Sequence, residues 1–573
     1  MPLRLRCHDL AGALFEMSEQ QIINSSVWAA LGDALGYVTE LGDESTFAHR
    51  LNGRTDEWGK SSWRRKIGGP YGCHVEFTPG TYSDDTQLRL AVSRSINSEG
   101  VFQKEAFAKI ELPVWRSYAL GAGVGSTSAA ENLVKANVNW NSNFFNNKNS
   151  NYCKGGGNGA AMRIQPHVWS APDWQHPHLY LSDVVSNSII THGHARGILG
   201  AAFHAICLAM TLANKEPLSQ PFWNETLPFL KGIPSIIEKD FFLTSIWIPQ
   251  WQMQSKDDFA AQVSEVVDEF KTYFKVFLQH KDGSPTERYY SFAKSIQAVG
   301  GREIGSAVKT SVLASAAALL FKDEAPVDCL RSVSSLFGSD TDTIATMAGA
   351  LIGATVADEP LLPIQDKDYI EREAKRLARI ARGSLAESFV YPSLLSWKSP
   401  RATLDITARY GEDFYVDGLA KIDFFGREYH NNTTTWQWGK LAFGQTILAK
   451  RRRDGCVVDF QPADGRYMAV EPTKTHTARQ SSHDATTRAQ PSKQINQAFL
   501  LDNMIVNKHK EKSSSDAAME DIFRLVAAIE KKGFPPEDIG HAYFYLSSKY
   551  RDYFYLSEFI SLLYKKQNGI KHP

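Results

Sequence analysis

Residues 337–354 read FGSDTDTIATMAGALIGA, and few folds can accommodate such a segment. From Thr343 to Ala357 no residue is charged, so a helix built from it has no face suited to water. Its alanines and glycines let neighbouring helices approach closely. Yet two aspartates, Asp340 and Asp342, stand at its mouth behind a glycine. A buried helix that begins with concentrated negative charge needs a reason for that charge.

Helical spacing recurs through residues 22–390. INSSVWAALGDALG places Val27, Ala30, Leu31, Ala34 and Leu35 on one face, and TQLRLAVSRSI (86–96) repeats the pattern. HARGILGAAFHAICLAMTLA (194–213) predicts a long buried helix, 257–280 an amphipathic one, 306–322 another Ala-rich one, and 369–383 a charged surface helix ending at Gly383. Strand signals here are few, so the fold class is all-α, a multi-helix bundle. The polar, aromatic stretch 137–163 is a long loop, and such loops in compact domains are either functional or disordered.

A chain of 573 residues predicts two or three domains. The helical domain spans 1–390. Residues 391–463 carry short aromatic and β-branched runs between turn residues and predict a small β-rich appendage. Residues 464–515, rich in Thr, Ser, Gln and Lys, predict a flexible linker. Residues 516–573 predict a small three-helix module, with Gly533 and Pro535-Pro536 ending its first helix and Ser557 capping its third.

Lysine plus arginine equals aspartate plus glutamate at 63 each, so whole-chain charge points to neither nucleic acid nor membrane. The six cysteines form no CxxC pair, which predicts free thiols, a cytoplasmic location and no thiolate zinc site. The first residues do not read as a signal peptide, and no stretch reaches the roughly 18 apolar residues of a membrane span.

The aspartates at 340 and 342 have a plain reading, since helix N-termini favour negative charge. A second acidic cluster in the same setting changes the case. PGTYSDDTQLRLAV puts Ser83, Asp84, Asp85 and Thr86 just before an apolar helix, and ALGDALGYVTE ends a helix and sends Glu40 into the loop beyond. Hydroxyls and carboxylates are hard oxygen ligands suited to Mg²⁺, Mn²⁺ or Ca²⁺ rather than zinc or copper. Two such clusters, brought together, can form a two-metal site.

KGGGNGAAMR (154–163) is a glycine-rich loop whose N–H groups can take phosphate oxygens, or simply a flexible connection. It fits neither the dinucleotide fingerprint nor a Walker loop. THGHARG (191–197) opens the long helix. Either Thr191 caps that helix and the histidines are structural, or His192 stands near a bound phosphate or ribose.

GDALGYVTE (32–40), GTYSDDT (80–86), GNGAAMR (157–163), THGHARG (191–197) and GSDTDTIATMAGALIGA (338–354) occur in that order. Together they resemble the motifs of the ADP-ribosylglycohydrolases, the family that includes the dinitrogenase-reductase-activating glycohydrolases. The resemblance covers roughly residues 20–360. It implies an orthogonal multi-helix bundle, a binuclear Mg²⁺ site with Mn²⁺ as the alternative ion, and an ADP-ribose cleft. By matching motif positions it implies Ser83, Asp84, Asp85, Asp340, Asp342 and Thr343 as metal ligands. Glu40, Asp84 and Asp342 are implied as catalytic carboxylates. Gly157, Asn158, Gly159, Met162, His192, Gly338, Ser339 and Thr341 are implied around the substrate. Ser83 stands where the family usually has Thr, and Ser339 where it usually has a second Gly, so a Cβ at 339 is expected to crowd the cleft.

The resemblance implies a metal-dependent hydrolase that removes ADP-ribose from a modified protein or nucleic acid, with a cognate ADP-ribosyltransferase toxin as a further partner and no membrane. A non-catalytic ADP-ribose binder, or a protein that occludes such a toxin, is the other reading. LAKRRRD (448–454) with Trp436 and Trp438 reads as a nucleic-acid contact or as a solvated basic turn beside a small aromatic core. Arg64, Arg65 and Lys66 lie in a segment expected to shape the cleft entrance.

Overall fold

Two helices in backbone contact form the centre of the protein. In the computed structural model, which describes residues 7–301, 303–453, 514–550 and 553–567, the relevant helices are α1 (Cys7–Thr39), α2 (Asp84–Arg94), α3 (Leu181–Thr191), α4 (Ala195–Asn214), α5 (Phe259–Phe277), α6 (Ala307–Leu320), α7 (Thr341–Gly353) and α8 (Lys367–Ala381). Every residue of α7 is buried, as its composition requires. Residues 22–39 of α1 are buried on all sides, not on one face as the spacing suggested.

Glycines make this crossing possible. A Cβ on Gly32 would stand 2.1 Å from the Ala345 carbonyl oxygen, and one on Gly36 2.3 Å from Cα of Asp342. From the other side, a Cβ on Gly349 would stand 2.3 Å from the Trp28 carbonyl and one on Gly353 2.4 Å from that of Asn24. No side chain fits at these four points, so the two backbones touch. That contact fixes the start of α7, and with it Asp342, against the end of α1, which Glu40 directly follows.

Helix α4 is long and apolar enough by length and composition to cross a membrane, contrary to the sequence reading, and 83% of its apolar window is buried inside the protein. Thr191 ends α3; the cap of α4 is His194, whose ring nitrogen accepts from the Arg196 N–H at 3.0 Å. The loop at 137–152 is pinned. Asn143 donates to the Ile190 carbonyl at 2.8 Å, and Tyr152 donates to that of Ile189 at 2.6 Å while accepting from Trp247 at 2.7 Å. Cys73, Cys153, Cys207 and Cys329 are free thiols.

Two sheets accompany the helices. Strands β1 (Trp63–Ile67) and β2 (Cys73–Phe77) form an antiparallel hairpin, with Trp63 opposite Phe77, within a segment where strand signals were weak. Strands β3 (Thr407–Tyr410), β4 (Asp413–Val416), β5 (Ala420–His430), β6 (Thr434–Leu441) and β7 (Thr446–Arg452) form an antiparallel meander in sequence order. A bulge interrupts the β5–β6 ladder between Phe425 and Tyr429, where Gly426 takes a positive φ.

The basic run lies on strand β7 as far as Arg452, and Arg453 stands in the turn that follows. Arg452 pairs with Asp405 at 2.6 Å, Arg451 with Glu428, and Arg453 donates to the Asn431 carbonyl at 3.0 Å. Internal partners thus occupy these arginines, and Trp436 and Trp438 face the hairpin. The β-sheet and the helices belong to one compact unit, residues 1–467. Arg94, bidentate on Glu111 at 2.8 and 2.9 Å and fully buried, also donates to Gln445 at 2.8 Å.

The second unit, residues 468–573, contains α9 (Ser514–Lys531), α10 (Pro536–Tyr550) and α11 (Tyr553–Gln567). Ile522, Leu525, Ile529, Leu546 and Phe559 form its core around a buried Lys549–Asp521 pair at 2.7 Å. Gly533, at positive φ, follows the end of α9 as expected. Ser557 lies inside α11, so it does not cap that helix. The predicted linker at 464–515 lies outside the described residues up to 513.

Candidate functional site

The two acidic clusters meet. Thr343 Oγ1 lies 3.3 Å from Asp85 Oδ1, a contact between residues 258 apart in sequence. Both lie in the wall of a cleft of ≈ 540 Å³ that also contains Glu40, Asp84, Asp340 and Asp342. A Cβ on Gly121 would stand 3.3 Å from Asp84 Oδ1 and 3.4 Å from Glu40 Oε2, so those two carboxylates converge on one point of the chain.

Local structure explains how each group is held. Ser83 caps α2, its hydroxyl accepting from the Asp85 N–H at 3.2 Å. Beneath it, Asp33 accepts from the N–H groups of Ser83 and Thr86, each at 2.8 Å. Asp33 thus clamps the turn that presents Asp84 and Asp85. The sequence reading passed over it, although it stands inside GDALGYVTE. Arg89, buried, donates to Thr86 Oγ1 at 2.8 Å and Thr346 Oγ1 at 2.7 Å, linking α2 to α7.

Electrostatics set the demand on the site. Burial, reinforced by neighbouring carboxylates, holds Asp84, Asp85 and Asp342 well above the ordinary carboxylate range. Asp85 Oδ2 is buried without a hydrogen-bond partner. Glu40 is also raised by burial, against the opposing charge of Arg65, whose Nη1 donates to its Oε2 at 2.8 Å. Clustered carboxylates of this kind ionise together only if cations neutralise them.

The donor set fits hard divalent cations. Every group offered is a carboxylate or hydroxyl oxygen, and the unpartnered Asp85 oxygen provides one lone-pair site. Among the described residues, no three His, Cys, Asp or Glu side chains stand together as a ready ligand group; the hydroxyl of Thr343 is what joins the clusters. Asp84, Asp85, Asp340, Asp342 and Thr343 line the cleft, whereas the Ser83 hydroxyl is engaged in capping just below it.

The glycine-rich loop also lines the cleft. Asn158 N donates to the Gly305 carbonyl at 2.9 Å, and Ala307 N donates to that of Gly156 at 3.0 Å, which fastens the loop to the start of α6. The Asn158 side chain donates to Asp340 Oδ2 at 2.8 Å and to Thr310 at 3.0 Å. A Cβ on Gly159 would stand 2.6 Å from Ser126 Oγ and 3.1 Å from the His192 ring, so a side chain there would displace one of them. Gly157, Asn158, Gly159, Met162 and His192 all line the cleft, as do Ser150, Lys154 and Arg196, which the sequence reading did not select.

His192 is neutral in this setting, its pKa pushed down to about 3 by burial and by Arg163. Thr191 Oγ1 lies 2.7 Å from its Nδ1 and accepts from Arg163 at 2.8 Å. A hydroxyl that donates to Nδ1 leaves Nε2–H as the ring's donor, and Nε2 is the ring nitrogen turned toward Gly157 and Gly159. Gly338, Ser339 and Thr341 stand behind the cleft wall. The Ser339 hydroxyl donates back to the Leu336 carbonyl at 2.7 Å, and that of Thr341 to the Gly36 carbonyl at 3.0 Å. The expected crowding by Ser339 is thus directed away from the cleft.

Comparison with known proteins gives the family of the chain. The family model described as ADP-ribosylglycohydrolase matches residues 21–391. Among solved structures, one titled "ADP-ribosylglycohydrolase-related protein complex" is 19% identical, covers 64% of this chain and 99% of its own, and has a TM-score of 0.36. No curated protein matches. The matched span holds both acidic clusters, the glycine-rich loop and His192, and the chain belongs to the ADP-ribosylglycohydrolase family.

Proposed function

We propose that the chain is a divalent-cation-dependent hydrolase that removes ADP-ribose from a modified protein or nucleic acid by cleaving the glycosidic bond at the distal ribose. The observation that carries this reading is the approach of Thr343 to Asp85 at 3.3 Å, which unites two carboxylate clusters in a cleft that the glycine-rich loop also lines. Asp84, Asp85, Asp340, Asp342 and Thr343 would hold two Mg²⁺ ions, with Mn²⁺ as the alternative, while Ser83 serves by capping the turn that presents Asp84 and Asp85. Ions of this kind supply Lewis acidity, a more acidic water and orientation of vicinal sugar hydroxyls.

The remaining roles fall to the chain itself. The glycine-rich loop and His192 line the cleft and are the parts of it suited to diphosphate oxygens. Cleavage at an anomeric carbon passes through an oxocarbenium-like state, which a fixed sugar orientation and nearby carboxylates favour. Glu40, Asp84 and Asp342 are the candidates to accept the proton of the attacking water. The cytoplasm is the proposed compartment, and a cognate ADP-ribosyltransferase toxin the proposed counterpart.

The test is release of ADP-ribose from arginine-linked, serine-linked and nucleic-acid-linked substrates, with Mg²⁺ and with EDTA. Release from at least one substrate, abolished by EDTA, is the expected result. Tight ADP-ribose binding with no release from any of them contradicts the hydrolase reading and favours a non-catalytic binder.

A further inference from the structure

The five-stranded sheet lies beyond the residues that match the family, yet it backs the β1–β2 hairpin, which carries a guanidinium onto Glu40 in the cleft wall. Trp438 Nε1 donates to the Glu76 carbonyl at 3.2 Å, and the Glu76 N–H donates to the Tyr429 hydroxyl at 3.3 Å. The ring of Trp438 meets that of Phe77 edge-on at 5.8 Å. At the hairpin's turn, Asn431 donates to the Tyr71 carbonyl at 3.2 Å, and a Cβ on Gly68 would stand 2.8 Å from the Trp436 ring. Strands β5 and β6 thus hold both β2 and the turn.

From the hairpin the contacts continue to Glu40. Trp63 stacks on Phe77 at 4.6 Å, and both rings meet Tyr37 edge-on at 5.2 and 5.9 Å. Arg64 of β1 is exposed, whereas Arg65 is turned inward. The Arg65 guanidinium lies 4.6 Å over the Tyr37 ring and donates to the Tyr37 carbonyl at 3.2 Å and to Glu40 Oε2 at 2.8 Å. A second contact runs in parallel. Lys450 N of β7 donates to the Ser117 carbonyl at 3.0 Å, and three residues on, the Leu120 carbonyl accepts from Asp84 N at 2.7 Å.

We propose that the sheet is a working part of the cleft, which fixes the β1–β2 hairpin and, through it, places Arg65 on Glu40, so that Arg65 is a positioning residue for that carboxylate. A lone guanidinium on a two-stranded hairpin is poorly held, because isolated hairpins are marginally stable. Docking β2 onto β5 and β6 supplies the rigidity that a carboxylate beside the reacting bond requires. The catalytic half of this inference rests on the hydrolase reading; the mechanical coupling does not.

The experiment compares Arg65→Gln, Arg65→Lys, Tyr429→Phe and the double variant Tyr429→Phe/Trp438→Phe in the full chain. Two quantities are read: amide hydrogen exchange over 38–42 and 63–77, and kcat and KM for ADP-ribosyl substrate. The sheet variants are expected to lose protection in both segments. Arg65→Gln is expected to lower kcat by about 10- to 100-fold with KM changed far less, the scale of a misplaced catalytic group, and Arg65→Lys to recover part of the loss. Tyr429→Phe, a single hydroxyl deletion, keeps the test readable if the double variant does not fold. Unchanged exchange at 38–42 in the sheet variants, or wild-type kcat in Arg65→Gln, overturns the inference. If the wild-type protein turns over no ADP-ribosyl substrate, the hydrolase reading fails, while the exchange data still decide the coupling.

Discussion

Asp342 shows what one buried carboxylate does for and against the fold. It is pushed well above the ordinary range by burial, Glu40, Asp85 and Asp340, so in the absence of cations it opposes its neighbours. Asp342→Ala is therefore expected to abolish turnover, yet in EDTA to melt at or above the wild-type temperature, because one repelling group is gone. In Mg²⁺ the order reverses, since only the wild-type protein gains from the ion. Thermal melts of both proteins in both buffers check this; an Asp342→Ala protein with wild-type turnover and wild-type Mg²⁺ stabilisation contradicts it. At this scale the sequence was informative where chemistry needs particular side chains. Asp84, Asp85, Asp340 and Thr343 announce themselves by type and by position before apolar helices. Asp33 does not, because a carboxylate that accepts two backbone N–H groups from a turn 50 residues away leaves no local pattern.

Among the elements, α1 and α7 decide the geometry. Gly349→Ala puts a Cβ 2.3 Å from the Trp28 carbonyl, at a helix crossing distant from the acidic clusters. It is expected to destabilise by about 1–3 kcal/mol, the usual cost of overpacking, with residual turnover in the folded fraction. Gly36→Ala strikes the backbone of Asp342 itself and is expected to lose both stability and turnover. Denaturant midpoints and initial rates separate the two; equal loss of specific activity in both variants contradicts the assignment. The uncharged run 343–357 made α7 legible as a buried helix. The hairpin was not legible, because WRRKIGGPYGCHVEF alternates only weakly. Its stability comes from Trp63 and Phe77 packing on Tyr37 and from the remote β-sheet, contacts that no local window contains. The partners of the β7 arginines were not legible for the same reason, since Asp405 and Glu428, which pair with Arg452 and Arg451, lie on other elements.

Across the whole molecule, two sets of buried groups oppose each other as pH changes. His167, His192 and His204 are each pushed down to about 3 by burial, against about 6.5 in an unfolded chain. The unfolded state binds the extra protons, so their contribution is fully present above about pH 6.5 and is lost as pH falls toward 3. Asp84, Asp85 and Asp342 are raised, so their contribution is present at low pH and is lost as pH rises above about 4. Divalent cations, which bind the ionised carboxylates, remove the second effect. Between about pH 4 and 6, stability is therefore expected to fall more steeply with acid in Mg²⁺ than in EDTA, as read from guanidinium midpoints. A steeper fall in EDTA contradicts the placement of these groups. The separation into two units carries its own expectation. Residues 468–573 alone are expected to give a helical circular dichroism spectrum and a cooperative melt, and a chain ending at 467 to keep wild-type turnover; a 1–467 chain that is folded but inactive contradicts this.

The account depends on two distant acidic clusters acting as one cation site. Calorimetric titration of the full chain with Mn²⁺ measures that directly. Two bound ions per chain are expected, with binding weakened at least tenfold by Asp85→Ala from one cluster and equally by Asp342→Ala from the other, roughly the loss of one charged ligand. No saturable binding in the wild-type protein, or binding that survives either substitution unchanged, would contradict it.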